Sequence, residues 1–255
     1  MHMIQAKDTF RAMAAAVSPG DDVMVHASLG RLGRFEPGAE TIIDALIAAV
    51  GSQGTVLMMT DTRSFAKTGR FDIDQPSETG LLTEKFRQYS GVGRSMVPMV
   101  SFAAKGARAG EYIQTYHSHL DATAPLTRLL ENDGQILMLV LDYKKCTMYH
   151  LAEERFKVQE NFYKTFQGVL MDGDRELAPI SQRYFVRRDM SVKKDPSIAG
   201  QLLEDRQQVK TIPLGKDVVR SFKARDFDKC CMDALANNPS AFVLSRGGAV
   251  DLKRG

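Results

Sequence analysis

The chain has 255 residues, 44% hydrophobic and 25% charged, the balance of a globular protein with enough length for a sizeable core. A formal net charge of +3, with the basic residues scattered, argues against a nucleic-acid partner. No apolar run approaches a membrane span, the amino terminus lacks a signal-peptide core, and the three cysteines (Cys146, Cys230 and Cys231) lack metal-ligand spacing. The expectation is a cytoplasmic protein in a reducing setting, with no metal, no disulfide framework and no membrane partner.

Phe10, Met13, Ala14 and Val17 recur at helical spacing and predict a helix over Thr9 to Val17, stopped by Ser18-Pro19-Gly20. Val23-Met24-Val25 reads as a short buried strand running into His26-Ala27-Ser28-Leu29-Gly30. A loop with Gly30, Gly33 and Gly38 then feeds a helix that opens at Pro37-Gly38-Ala39-Glu40, runs to Val50 and is capped by Gly51. Thr55 to Met59 is the next strand. This is a β-α-β unit whose loop offers backbone N–H groups to a phosphate. It has neither GxGxxG nor the Gly-Lys-Ser/Thr of a P-loop, so the glycines read as tight turns.

The polar stretch from Asp61 to Thr79 is long enough to be a lid or binding loop. A helix is predicted over Gly80 to Tyr89. Pro98 keeps Met96 to Ala104 from forming one continuous central strand. Arg94 beside Ser95 offers a charge-assisted contact to a phosphate, although a surface arginine is the commoner case. Ala107 to Tyr116 reads as a helix. His117-Ser118-His119 carries two histidines with no third metal ligand nearby. A short helix opens at Ala124-Pro125-Leu126.

Gln135 to Phe156 is the most informative stretch. Ile136 to Leu141 is an unbroken apolar run bounded by Asp133-Gly134, as in a strand covered on both faces. Polar residues follow, and a helix starts at Met148-Tyr149-His150. Open α/β sheets place their chemistry beyond the carboxyl ends of strands. On that helix His150 and Glu153 share a face at i and i+3, so an imidazole and an orienting carboxylate can meet one cleft. The bland alternative is a partly exposed histidine on an ordinary charged face.

Beyond Phe156 the pattern turns antiparallel. Phe162 to Phe166 alternate, Asp172-Gly173-Asp174 marks a hairpin turn, and Tyr184-Phe185-Val186 is a further strand. Arg187-Arg188 and Lys193-Lys194 read as solvated surface. Helices are predicted from Asp195-Pro196-Ser197 to Leu203 and from Ala224 to Leu235, with a strand at Val218 to Phe222 between them. The fold class is α/β, a mixed sheet with flanking helices and antiparallel strands in the C-terminal part. With no linker in view, residues 1–255 are read as a single domain.

Several ordered stretches resemble the aminoglycoside 3-N-acetyltransferases. They are Val25-His26-Ala27-Ser28-Leu29, Glu40 to Leu46, Gly54 to Met58, Pro76 to Leu82, Arg94-Ser95 with Pro98 and Ser101 to Gly106, Ala124 to Leu129, and Thr147 to Glu153. The resemblance implies an acetyl-CoA-dependent N-acetyltransferase that takes an acyl-CoA and a small-molecule amine, and it allows a homodimer. The family's catalytic His and Glu fall on His150 and Glu153. Its CoA contacts fall on Ser28, Leu29, Arg94, Ser95 and Ser101. Thr147 and the backbone N–H groups beside it are the expected oxyanion donors.

The chain departs from the family pattern in four places. Val97 and Val100 stand where the family often has histidines, and Lys144 and Cys146 replace an Asp-x-Asn pair. A polycationic acceptor favours a carboxylate-rich pocket. The expected acceptor is therefore an amine other than an aminoglycoside, for instance one bearing a phosphonate or a nucleotide. The alternatives are an aminoglycoside acetyltransferase proper, a CoA- or nucleotide-binding protein without turnover, and a metallohydrolase using His117, His119 and His150. Transfer through a Cys146 acyl-enzyme ranks below direct transfer.

Overall fold

A computed structural model describes residues 3–32, 34–36 and 38–245. The elements in the first half are β1 (Met3–Gln5), α1 (Ala6–Ala16), β2 (Asp22–Ala27), α2 (Leu29–Leu32), β3 (Arg34–Glu36), α3 (Glu40–Val50), β4 (Thr55–Met59), α4 (Phe65–Thr68), β5 (Arg70–Asp72) and α5 (Leu81–Arg87). Next come β6 (Gly93–Arg94), β7 (Phe102–Gly106), α6 (Ala109–Tyr112), α7 (Pro125–Glu131), β8 (Gln135–Leu139), a 3₁₀ turn at Tyr143–Lys145 and α8 (Tyr149–Phe156). The last are β9 (Asn161–Asp172), β10 (Arg175–Arg187), β11 (Lys193–Lys194), α9 (Ser197–Asp205), β12 (Lys210–Leu214), β13 (Asp217–Lys223), α10 (Ala224–Asn237) and β14 (Val243–Ser245). Gly33 and Pro37 of the glycine loop lie outside the described residues.

Seven strands form the main sheet in the order β12-β13-β8-β2-β4-β7-β6. Only its middle is parallel, β2 pairing with β8 and β4, while β13, β12, β7 and β6 join antiparallel. The fold is thus the mixed α/β sheet that the apolar runs predict. Alternation explains why β8 is apolar at every position from Ile136 on. Ile136 and Met138 feed one core, with Leu126, Phe222 and Phe227, and Leu137 and Leu139 feed the other, with Ile42, Leu46 and Val56.

The site lies where β8 ends. The apolar run predicts a strand through Leu141, but it stops at Leu139 because Val140 takes φ 57°. A β-branched residue in the left-handed region is strained, and here it turns the chain out of the sheet into the site loop. That loop packs on α9 at Gly200, where an added Cβ would lie 2.1 Å from the Tyr143 ring. The turn is therefore held by packing.

The C-terminal alternation resolves into one long hairpin, β9 with β10, bulged between Glu176 and Ala178. The stretch expected to be a free lid is partly structured. It carries α4, and its β5 pairs in parallel with β9. The helix predicted over Ala107 to Tyr116 shrinks to α6, and β12, which contains Pro213 and sits at the sheet edge, was not legible in the pattern. Among the described residues no helix is long and apolar enough to cross a membrane.

Candidate active site

Helix α8 places its first-turn residue His150 beside Glu153, with His150 Nδ1 2.9 Å from Glu153 Oε2. The imidazole is 29% exposed and the carboxylate 1%. An ionised carboxylate only accepts hydrogen bonds. Nδ1 therefore carries the proton and Nε2 presents the lone pair, the arrangement a general base requires. Burial pushes the Glu153 carboxyl up, but hydrogen bonds from His150 and Lys194 and the positive charge beside it outweigh that and hold the group below its usual value. Glu153 Oε1 is contacted by Lys194 Nζ, which also donates to Asn161 Oδ1 at 2.7 Å.

Two chambers meet at this pair. One, of 400 Å³, is bounded by the ends of β2 and β4 and includes His26, Ser28, Met59, Asp61, Thr147 and His150. The other, of 530 Å³, lies toward the hairpin, with Asn161, Tyr184, Arg187, Met190 and Lys194. Arg63, Lys145, Tyr149 and His150 border both. A histidine that borders two cavities can face a group bound in either.

The structure brings together His150, Glu153, Thr147 and Ser28. Among the described residues Thr147 Oγ1 has only the thioether of Met59 as acceptor, at 3.2 Å, a weak bond that leaves the hydroxyl free to turn toward a developing oxyanion. The N–H groups of His150 and Leu151 are bonded to the carbonyls of Thr147 and Met148. Leu29 packs against the second core, outside the residues of either chamber.

Arg94, Ser95 and Ser101 form an internal clamp and are not among the residues that border either chamber. The Arg94 guanidinium donates to the carbonyls of Ile73, Gln75 and Thr60 and to Ser101 Oγ. Ser95 Oγ accepts from the Phe102 N–H, and Ser101 donates to the Thr60 carbonyl. Val97 and Val100 are 1% exposed and belong to the first core. Lys144 is exposed, borders the smaller chamber and pairs with Asp142 at 3.0 Å. Cys146 is fully buried, and burial pushes its thiol up to about 12. A buried thiol in that state is a poor nucleophile, which removes the structural basis for a Cys146 acyl-enzyme.

The sequence pattern does not single out Lys194 or Asp61 as residues of the site. Lys194 is not solvated surface, since its side chain is 4% exposed. Asp61 is 1% exposed, holds Arg63 through Oδ2 and leaves Oδ1 unpartnered. Burial pushes its carboxyl up to about 6. Burial lowers His26 to about 4, so its ring is neutral. The His119 and Tyr184 ring centroids are 4.7 Å apart, and burial lowers His119 to about 3. Short polar residues after an apolar strand were the only local signal for Asp61. The others depend on contacts distant in sequence. Among the described residues no group of three or more His, Cys, Asp or Glu is placed to hold a metal ion.

One carboxylate-paired histidine bordering two cavities, at the carboxyl end of a mixed sheet, fits an enzyme that moves a group between two substrates. A family model described as aminoglycoside 3-N-acetyltransferase matches residues 24–236, and the chain belongs to that family of acetyl-CoA-dependent N-acetyltransferases. It is 28% identical over 233 residues to aminoglycoside N(3)-acetyltransferase IV of Salmonella sp, covering 89% of this chain and 85% of the relative. Several other relatives are matched over 64% of their own length. The fold is shared with the apoenzyme of aminoglycoside acetyltransferase AAC(3)-IVa (TM-score 0.77, 24% identity, 95% of this chain and 92% of that one). It is shared too with AAC-IIIb in a binary complex with CoASH (TM-score 0.78, 22% identity, 96% and 100%).

Proposed function

We propose that residues 1–255 act as one acyltransferase domain that moves the acetyl group of acetyl-CoA to an amine of an aminoglycoside-class small molecule. The observation that carries this reading is the His150–Glu153 pair, 2.9 Å apart at the junction of two chambers. The acceptor amine must lose a proton as it attacks the thioester carbonyl. His150 Nε2 takes that proton, and Glu153 fixes the tautomer and balances the imidazolium. Thr147 Oγ1 donates to the oxyanion of the tetrahedral state. Collapse of that state expels the CoA thiolate and leaves the amide. Ser28 and Thr147 make the smaller chamber the seat of the thioester end of acetyl-CoA, and the larger chamber takes the acceptor. A cytoplasmic setting fits a thioester substrate and three free, buried cysteines.

The names of the relatives favour an aminoglycoside acceptor over the non-aminoglycoside amine expected from Lys144. A specific observation keeps the second reading in play. The larger chamber is bordered by Arg63, Lys145, Arg187 and Lys194 and by no carboxylate among its described lining residues. That lining favours a less cationic amine.

Thiol release from acetyl-CoA across a panel of aminoglycosides, neutral amino sugars and anionic amines tests both. Fastest turnover with a gentamicin-type acceptor supports the aminoglycoside reading. Fastest turnover with a neutral or anionic amine supports the second. Silence with every amine, while CoA still binds, overturns the acyltransferase reading in favour of a binding role.

A further inference from the structure

We propose that Lys194 is a positioning residue that keeps His150 in its uncharged, proton-accepting form by neutralising Glu153. The inference rests on the acyl-transfer reading of the His150–Glu153 pair and adds a third member to it. Lys194 sits on β11, a two-residue strand paired with β14 and distant in sequence from α8. Its side chain is 4% exposed and that of Glu153 is 1%. Nζ contacts Glu153 Oε1 and donates to Asn161 Oδ1 at 2.7 Å, and Asn161 is itself buried. The other carboxylate oxygen, Oε2, lies 2.9 Å from His150 Nδ1. One buried anion is thus held between a permanent cation and an optional one.

The charge balance gives the role. A buried carboxylate requires a compensating positive charge. With Lys194 in place that charge is supplied, and the imidazole can rest neutral with Nε2 open to the acceptor. Without Lys194, His150 is the only hydrogen-bonded partner among the described residues left to neutralise Glu153. The imidazolium is then favoured before any substrate arrives, and the base is already spent. Lys194 also limits how tightly the imidazolium is held after proton transfer, so the proton can leave and the enzyme can turn over.

Among the described residues the other ionisable groups that border the chambers with His150, His26 and the Ser64-bonded Glu78 included, make no side-chain hydrogen bond to its ring. On its own helix the Tyr149 ring is 4.0 Å away, centroid to centroid. From the loop before α4 come Asp61 and Arg63, paired with each other at 2.9 Å. From the 3₁₀ turn come Lys144, paired with Asp142, and exposed Lys145. From β10 come Tyr184 and Arg187, the latter donating to the Val192 carbonyl. Buried His119 stands behind Tyr184. Among the described residues only Glu153 shares a side-chain hydrogen bond with the imidazole, and Lys194 is the cation on that carboxylate.

The test reads the proton on His150 directly. Imidazole C–H resonances are followed against pH by NMR in the wild type, Lys194→Met and Lys194→Arg, without substrate, with His150 assigned by its loss in His150→Gln. The His150 midpoint is expected to rise by about one pH unit or more in Lys194→Met and to stay near wild type in Lys194→Arg. In parallel, kcat/KM for acetyl transfer in Lys194→Met falls about threefold or more at neutral pH and recovers toward wild type at alkaline pH. Lys194→Gln serves in place of Lys194→Met if that protein does not fold. An unmoved midpoint, or a rate depressed equally at all pH values, overturns the proposal and leaves Lys194 a structural ion-pair partner. A midpoint that rises in a protein inactive with every amine supports the charge role while refuting the acyl-transfer reading.

Discussion

Replacing Glu153 by Gln keeps the shape of the side chain and removes its charge, and the structure sets the size of both consequences. The amide carries no charge to balance the imidazolium, and it can donate to His150 Nδ1 and so favour the wrong tautomer. Positioned general bases contribute about 10²–10⁴-fold. Loss of tautomer control and charge balance is therefore expected to lower kcat by about 10²-fold or more, equivalent to about 2.7 kcal/mol or more at the barrier. The second consequence is thermodynamic. Lys194, 4% exposed, keeps only Asn161 as a side-chain partner among the described residues. Removing one member of a buried ion pair costs about 3–5 kcal/mol. In a chain of 255 residues each kcal/mol shifts Tm by about 2–4 °C, so a fall of about 6–20 °C is expected. The assays are thiol release under saturating acetyl-CoA and thermal unfolding. The double variant Glu153→Gln, Lys194→Met should recover much of the Tm, because neither buried charge remains, but none of the kcat. An unchanged Tm in Glu153→Gln, or a kcat within about threefold of wild type, would refute the reasoning.

Cys146→Ala should fold and retain kcat within about threefold, since the buried thiol touches no substrate in direct transfer; loss of turnover with acetyl-CoA binding intact would revive the acyl-enzyme route. Arg94→Ala orphans acceptors that the guanidinium now satisfies at Ile73, Gln75, Thr60 and Ser101. A stability loss of about 2–4 kcal/mol is expected, with the acetyl-CoA Kd of the folded protein within about threefold; a Kd raised about tenfold at unchanged Tm would instead make Arg94 a CoA contact. Asp61 predicts a pH dependence of stability. Burial raises its carboxyl from 3.8 to about 6, so the folded state releases this proton at higher pH than the unfolded state does. Its contribution to stability is fullest below about pH 4, falls as pH rises to about 6, and is then constant, a loss of about 3 kcal/mol. The Tm of Asp61→Asn relative to wild type should rise across that window, and a flat difference would contradict the assignment.

The layout of the site was legible because local rules govern it. An unbroken apolar run forces a doubly covered strand, and i,i+3 spacing puts His150 and Glu153 on one face whatever surrounds them. The third charge was not legible. Lys194 follows Lys193 in a polar stretch and looks like its exposed neighbour, and only the pairing of β11 with β14 and the packing around α8 carry it inside. Arg94 shows a further tertiary role. Beside a serine it suggests a phosphate clamp, yet its donors serve the backbone of the Asp61 to Thr79 stretch, at the Ile73 and Gln75 carbonyls. The hairpin was read in pieces because the bulge at Glu176/Ala178 shifts the alternation. The nature of the acceptor depends on which charges face a chamber, a tertiary property, so Lys144 alone could not decide it.

The most direct measurement is thiol release from acetyl-CoA with a gentamicin-type aminoglycoside, for wild type and His150→Ala side by side, with acetyl-CoA affinity measured by calorimetry. The account predicts turnover by the wild type, a loss of at least about 10²-fold in kcat for the variant, and equal acetyl-CoA affinity in the two proteins. Equal turnover by the two proteins would contradict the role of His150 as the base.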